Sequence, residues 1–292
     1  MADRVPPHLY FVTSAVFHYL GPAFAVLLFA RIGVLGVAWL RIASAALIFA
    51  AWRRPWRTYA QLDRPGKRLL LVWGAVLAVM NVCFYIAIDR LPLGTVAAIE
   101  FLPVIALAAL GARTGRNAAA LLLAVAGVYL LTDVQLVAEP VGIAFAFANA
   151  ALFSAYIVLA HRASRYERMG GIDGLGASML IAAVAVTPLG GWQAVPAFSD
   201  VIALLAGIGV GVSSSVIPYV TDQLAMRRLA RPTYALMVSL LPATATVIGL
   251  LVLAQVPTAA ELAGVILVIA AIAIHRERVA EAIESDAEAI AA

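Results

Sequence analysis

Residues 92–110 read PLGTVAAIEFLPVIALAAL, and a single carboxylate, Glu100, interrupts this otherwise almost wholly apolar run. At about 1.5 Å per residue, a helix of this length approaches the roughly 30 Å hydrocarbon thickness of a bilayer. A charge placed there costs about 2.5 to 3.5 kcal/mol by insertion scales, so it is expected to face the interior of the protein rather than lipid. The stretch therefore predicts a membrane-spanning helix that carries one inward-facing carboxylate.

The composition of the whole chain agrees with this interpretation. Of its 292 residues, 64% are hydrophobic and only 12% are charged, which is more apolar surface than one water-soluble core can bury. The net charge of +4 could suggest a nucleic-acid partner, but the basic residues lie in short clusters between apolar runs, so no such partner is expected. Cys83 is the only cysteine, which leaves no intramolecular disulfide and no cysteine-based metal site.

Ten runs are long and apolar enough to span a membrane. Because they lack the alternation of a membrane β-barrel, the predicted fold is an all-α integral membrane protein with ten transmembrane helices. The first run follows MADRVPP without a small-residue cleavage site, so we interpret it as a retained span and not as a signal peptide. The predicted spans are 8–29, 33–52, 68–88, 94–112, 116–132, 140–160, 173–190, 200–220, 232–254 and 259–275.

The basic residues predict the orientation of these spans. Seventeen of the 20 Lys and Arg residues fall in alternate segments that begin with the N-terminus, whereas only Arg31 and Arg90 fall in the other loops. Positively charged loops stay in the cytoplasm, so both termini are predicted to be cytoplasmic. The remaining basic residue, Arg41, lies inside the second span. We refer to the end of the bundle that carries Arg31 and Arg90 as the predicted outer end.

The chain also predicts an internal repeat. Residues 232–253, PTYALMVSLLPATATVIGLLVL, resemble residues 92–110 in having a Pro-initiated start and a later Leu-Pro. The predicted units are a first five-helix repeat, 1–136, a second repeat, 137–275, and a cytoplasmic tail, 276–292. Five helices per unit force the second repeat to be inverted relative to the first, an arrangement that many secondary transporters use for alternating access around a central cavity.

Four stretches carry a resemblance to a known family. They are RIASAALIFAAWRRPWR (41–57), YIAIDRLPLGTVAAIEFLP (85–103), SSVIPYVTDQLAMRRL (214–229) and LLVLAQVPTAAELAGVILVIAAI (250–272). The chain resembles the EamA family of the drug/metabolite transporter superfamily, especially its threonine/homoserine and aromatic amino-acid exporter branches. The resemblance implies an exporter of the bacterial inner membrane with an amino-acid substrate. One position departs from the family, because Gln255 stands where a glutamate is usual.

The residues themselves give the first candidates for a substrate site. From the predicted outer end, Arg41 lies about 12 Å into the second span and Glu100 about 9 Å into the fourth, so the two charges are at matching depth. One interpretation is structural, an ion pair or two charges each satisfied by neighbouring backbone. The other is functional: Glu100 meets a substrate ammonium or carries a coupling proton, and Arg41 attracts a carboxylate.

Further polar residues and helix breakers near mid-span complete the predicted cavity. His18 is either a proton relay or a hydrogen-bonded packing residue, and the Gly-Pro and Leu-Pro pairs are candidate hinges, although proline is common in membrane helices. A small-residue ridge at 203, 207, 211 and 215 predicts close packing inside the chain, with a dimer as the alternative to the expected monomer. The other candidates are Tyr19, Asn81, Tyr85, Asn149, Tyr156, Ser214 and Tyr219 for substrate binding, and Gly21, Pro22, Pro103 and Pro242 for hinges.

No sequence motif indicates an enzyme or a resident cofactor. The chain contains no G-x-x-x-x-G-K-[ST] phosphate loop, so uphill transport would need a partner or an ion gradient. Protons are the candidate coupling ion. No cofactor and no metal are expected. A carrier for drugs or other small metabolites is the alternative to an amino-acid exporter. A channel or a membrane enzyme is the third hypothesis.

Overall fold

The computed structural model describes residues 6–111, 114–164, 166, 169, 171–226 and 240–274, and within these residues all regular structure is helical. We number the α-helices in chain order. They are α1 (Pro7–Ile32), α2 (Val34–Arg53), α3 (Pro55–Gln61), α4 (Arg64–Arg90), α5 (Leu93–Gly111), α6 (Gly115–Ala138), α7 (Pro140–Ser164), α8 (Gly171–Ala194), α9 (Val201–Gly211), α10 (Ile217–Met226), α11 (Leu241–Leu253) and α12 (Ala259–Ile274). A 3-10 turn, Val195–Ser199, precedes α9, and a π-helical segment, Val212–Val216, joins α9 to α10.

The predicted spans coincide with these helices. In the described residues, six helical stretches are long and apolar enough to cross a membrane: Leu9–Ile32, Val34–Arg53, Arg64–Arg90, Pro140–Ala160, Ile172–Ser199 and Val201–Thr221. Shorter apolar helices occupy the fourth, fifth, ninth and tenth predicted runs, and residues 232–239 of the ninth run lie outside the described part. The chain is therefore a multi-pass helical protein, and the full count of ten spans stays a prediction.

Two short elements that were not predicted have a proline in their first turn and are followed within two residues by an aspartate that caps the next helix. After α3, Asp63 caps α4 by accepting the N–H of Gly66 at 3.0 Å. After the 3-10 turn, Asp200 caps α9 by accepting the N–H groups of Ile202 and Ala203 at 3.0 and 3.1 Å. Each carboxylate satisfies N–H groups that a helix start leaves without a partner.

The buried side chains form two main apolar clusters separated by a polar layer. The cluster toward the predicted outer end includes Leu40 of α2, and the cluster toward the other end includes Ile42 of the same helix. The change from one cluster to the other along α2 therefore falls at Arg41. The change along α4 falls near Asn81, and the change along α7 falls near Asn149. Buried polar residues thus lie at one level of the bundle, which we call the polar layer.

The predicted small-residue ridge packs within the chain. A Cβ added to Gly207 would lie 2.7 Å from Cδ1 of Leu40, and one added to Gly211 would lie 2.8 Å from the carbonyl oxygen of Arg41. These two glycines let the backbones of α9 and α2 approach closely, as small residues do in membrane helices.

Another close contact joins α6 to α12. A Cβ on Gly127 would lie 2.8 Å from the carbonyl oxygen of Gly264, and a Cβ on Gly264 would lie 2.7 Å from that of Gly127. The contact is reciprocal, because each glycine meets the backbone of the other.

We expect the Gly264→Ala substitution to destabilise the protein by about 1–3 kcal/mol, because the added methyl group would meet the backbone of α6 and not a movable side chain. Gly209→Ala is the matched control, since a Cβ there meets nothing within 4 Å and alanine favours a helix. Thermal unfolding in detergent measures both. Equal melting temperatures for the two variants would contradict the close contact.

Candidate functional site

Arg41 is the cation of the polar layer and is only 7% exposed. Its Nε donates a hydrogen bond to Oγ of Ser215 at 3.1 Å, and its Nη2 donates to the backbone carbonyl of Ser214 at 3.2 Å. The guanidinium also lies over the ring of Tyr85, 5.5 Å from its centroid, where a cation is attracted to the π face. Neutral groups from α4 and from the π segment therefore hold this charge.

Pro218 explains why the Ser214 carbonyl is available. In a regular α-helix, the N–H of residue 218 would donate to this carbonyl, but proline has no N–H and its ring clashes with the carbonyl four residues earlier. The chain widens instead, and the N–H of Ile217 bonds to the carbonyl of Val212, five residues back. Such π turns occur frequently at functional sites, and this one presents a backbone acceptor to Arg41.

Glu100 is the anion of the polar layer and is 5% exposed. Its Oε1 accepts a hydrogen bond from Nδ2 of Asn149 at 3.1 Å. Arg41 and Glu100 are close enough to interact electrostatically. The direct ion pair that was one structural alternative is not formed, because the N···O contacts of 4.0 Å or less between charged side chains of the described residues are Arg31–Asp200, Arg53–Asp173 and Arg90–Glu139.

Three buried polar atoms beside these charges have no hydrogen-bond partner among the described residues: the hydroxyls of Tyr19 and Tyr85 and the Oδ1 atom of Asn149. The Tyr85 hydroxyl lies near both Arg41 and Ser214, but no described residue gives it a hydrogen bond of suitable geometry. Tyr19 interacts electrostatically with Glu100. An unsatisfied buried polar group costs about 1–3 kcal/mol, and native proteins contain few of them, so three around one pair of charges indicate a place for a polar ligand.

His18 borders the same group of residues. Its ring contacts that of Tyr19 edge-to-face, with centroids 5.1 Å apart, and it interacts electrostatically with Arg41. It makes no hydrogen bond to any described residue, whereas a hydrogen-bonded packing histidine would make at least one. Its role as a relay stays a prediction.

Three further predicted site residues make their described contacts elsewhere, and their place in the site stays a prediction. Asn81 donates to the carbonyl of Leu77 on its own helix at 2.8 Å. Tyr156 stacks on Phe153 with ring centroids 6.4 Å apart and packs in the second apolar cluster, as Tyr219 does. These side chains are on the predicted helices, but their described packing contacts are not with Arg41 or Glu100.

The predicted hinges occupy different positions in their helices. Pro22 and Pro103 lie inside α1 and α5, where they leave the carbonyls of His18 and Ile99 without an α-helical donor. Gly21 touches the π segment, since a Cβ there would lie 2.7 Å from Cβ of Ser214. Pro242 is in the first turn of α11, and residues 227–239 lie outside the described part, so its role as a mid-span hinge stays a prediction.

Sequence reasoning missed the role of Ser215, the π turn and one contact. It gave Ser214 as the binding candidate and placed residue 215 in the small-residue ridge, and it gave no sign of the π turn, although the spacing of four between Ser214 and Pro218 is the available signal. It treated Gln255 only as a departure from a pattern. In the structure, its Oε1 accepts the N–H of Leu93 at 3.1 Å and so ties the loop after α11 to the start of α5.

The fold and the site define a class of protein: a multi-pass helical membrane protein that keeps two opposite charges and unpartnered polar groups at one buried level. Such intramembrane charges mark substrate or ion pathways.

Comparison with known proteins is more specific. The model of the EamA-like transporter family matches residues 140–275. The threonine/homoserine exporter RhtA of Salmonella typhimurium is 32% identical over 255 residues, which cover 86% of this chain and 84% of that protein. The threonine/homoserine exporter RhtA of Escherichia coli strain K12 shows the same identity and coverage.

The chain belongs to the EamA-like transporter family. This confirms the family that the sequence motifs indicated. The family and both relatives are named as transporters or exporters and not as enzymes.

Ser215→Ala tests the hydrogen bond that Arg41 donates to the Ser215 hydroxyl. We expect it to lower stability by about 1 kcal/mol, because a buried hydrogen bond to a charged group is lost. Ser213→Ala is the matched control, since the Ser213 hydroxyl donates only to carbonyls of α9. Unfolding of both purified variants in mixed micelles provides the comparison. Equal stability of the two variants would mean that the Arg41–Ser215 bond contributes nothing.

Proposed function

We propose that this protein exports amino acids of the threonine or homoserine type across the bacterial inner membrane, as a secondary transporter. The observation that carries the proposal is the separation of Arg41 from Glu100 within one buried layer. An amino acid carries an ammonium and a carboxylate on one carbon, so it needs an anion and a cation that face it without neutralising each other. The names of the two exporters that cover most of the chain support the same substrate class.

The proposed roles follow from charge and hydrogen-bonding capacity. Glu100 receives the substrate ammonium or carries a coupling proton, and Arg41 attracts the carboxylate. The hydroxyls of Tyr19 and Tyr85 and the Oδ1 atom of Asn149 remain for the side-chain hydroxyl of the substrate. His18 borders this group and is the candidate proton relay.

Transport would proceed by rocking of two inverted five-helix repeats, 1–136 and 137–275. In these repeats, the partners of α2, α5 and α6 are α8, α11 and α12. Each of these three pairs is in contact, as expected for equivalent helices near a two-fold axis. The reciprocal contact of Gly127 with Gly264 supports the axis, because equivalent residues beside a two-fold axis meet each other.

The connections between helices support the same proposal. α3 with the Asp63 cap follows the second helix of the first repeat, and the 3-10 turn with the Asp200 cap follows the second helix of the second repeat. With an odd number of helices per repeat, these two connections would lie on opposite sides of the membrane. The charge count then puts both termini in the cytoplasm, and we propose that the protein acts as a monomer.

Glu100→Gln is expected to abolish amino-acid transport and leave the fold intact, because the amide still accepts the Asn149 hydrogen bond but carries no charge. The measurement is counterflow of labelled threonine and homoserine in proteoliposomes at two pH values, with thermal unfolding as the check on folding. Glu139→Gln is the matched control, since that carboxylate is half-exposed and pairs with Arg90 away from the polar layer.

Each outcome of this assay has a distinct meaning. Unchanged transport by the Glu100→Gln variant would remove that residue from the mechanism, and unfolding of the variant would favour a structural role. If the wild-type protein moved no amino acid but did move other solutes of a substrate panel, a carrier for drugs or other metabolites would replace the proposed exporter. Pulses of current characteristic of single channels would favour a channel instead.

A further inference from the structure

A cavity with several polar residues in its lining lies at the predicted outer end of the bundle, apart from the polar layer. Its volume is about 290 Å³, and it opens between the start of α5, the end of α11 and the loop that leads into α12. The polar residues that line it are Thr95, Thr246, Gln255, Thr258 and Glu261. Thr95 precedes Glu100 by five residues on α5, which corresponds to roughly 7.5 Å along the helix axis toward the outer end.

Thr95 is the unusual member of this lining. It is only 2% exposed, and its hydroxyl makes no hydrogen bond to a described residue. Thr95 lies in the first turn of α5, so the carbonyl four residues back precedes the helix, and its hydroxyl lacks the bond that Thr246 makes to the carbonyl of Pro242 at 2.9 Å. A buried hydroxyl that lines a cavity without such a bond is available to a ligand.

Glu261 supplies the charge of the cavity. It is 9% exposed and completes a capping box with Thr258, because its Oε2 accepts the N–H of Thr258 at 2.8 Å and the Thr258 hydroxyl at 3.0 Å. None of the described lining residues is Lys, Arg or His. The cavity therefore offers one carboxylate and several hydroxyl oxygens but no cationic group.

We infer that this outer cavity binds a small solute through a primary ammonium group, which Glu261 attracts and the Thr95 hydroxyl orients. The remaining lining, which includes Val256 and Val265, accommodates a short apolar or hydroxylated chain. A carboxylate on the same solute would point out of the cavity mouth, because no cation faces it inside. The identification of this solute as the exported amino acid rests on the proposed function, whereas recognition of the ammonium does not.

Protection of an engineered thiol tests the inference. Cys83, the only native cysteine, is replaced by serine, and Val256, which lines the cavity and is 79% exposed, by cysteine. Labelling by a membrane-impermeant maleimide is followed on the purified protein in nanodiscs. We expect L-threonine and L-threoninol, which has an ammonium but no carboxylate, to slow the labelling about tenfold at ten times their Kd. N-acetyl-L-threonine, which has no ammonium, should leave the rate unchanged.

Matched variants assign any protection to the cavity. Thr95→Val and Glu261→Gln should each remove it, and the second variant keeps the capping box because glutamine also serves there. Thr244→Val and Glu139→Gln should retain it, since neither residue lines the cavity. A control thiol is placed at Val201, the first residue of α9, which does not line the cavity. In the Cys83→Ser background, none of the three compounds should slow labelling of the Val201→Cys variant.

The outcomes separate this inference from the proposed function. If neither amine slows labelling while counterflow of amino acids proceeds, the cavity is not a binding site and the exporter proposal stands. Protection by threoninol in a protein that transports no amino acid would support the cavity and overturn the exporter proposal. Equal protection by N-acetyl-L-threonine, or protection that survives Glu261→Gln, would overturn recognition of the ammonium.

Discussion

The centre of this protein depends on how Arg41 is satisfied. A guanidinium inside an apolar bundle needs acceptors, and here it uses a serine hydroxyl and a backbone carbonyl rather than a carboxylate. That carbonyl belongs to Ser214 and lacks its helical donor because residue 218 is proline. Two features that are each unfavourable alone, a buried cation and an unbonded carbonyl, therefore satisfy each other. The arrangement requires α2 to approach the π segment closely, and the glycines at 207 and 211 allow this approach.

The same arrangement keeps Glu100 from neutralising Arg41. Its described hydrogen bond is to the amide of Asn149, and the nearby hydroxyls of Tyr19 and Tyr85 have no hydrogen-bond partner in the described part of the chain. Burial in low dielectric strengthens attraction between a charge and a correctly placed ligand, and it makes an unpaired polar group costly. A zwitterion that bridged its two charges would stabilise a layer of this kind, which is the physical basis of the proposed amino-acid site.

The sequence predicted the class of fold well because apolar run length and charge position report directly on the membrane. It also placed Arg41 and Glu100 in one layer, since depth follows from counting residues along a helix. Depth does not give the rotation of a helix about its own axis. Tyr156 and Tyr219 illustrate this limit, because their described packing is against the second apolar cluster and their place in the site stays a prediction. The π turn was missed because its cause, Pro218, alters hydrogen bonding without changing hydropathy.

The two ends of the α2–α8 pair show how such a bundle could open without unfolding. At one end, Arg53 pairs with Asp173 at 2.6 Å, and at the other, the Gln193 side chain accepts the N–H of Gly36 at 3.3 Å. Exposed ion pairs and single neutral hydrogen bonds each contribute only about 0–1.5 kcal/mol to stability, so either of these two contacts can break at a small cost in free energy. The Gly127–Gly264 contact is different, because it is made of backbone in close contact and separates only if the helices part. Rocking about a close-packed contact of this type, with weak ties at both ends, satisfies the requirement of the proposed mechanism that one end opens while the other stays closed.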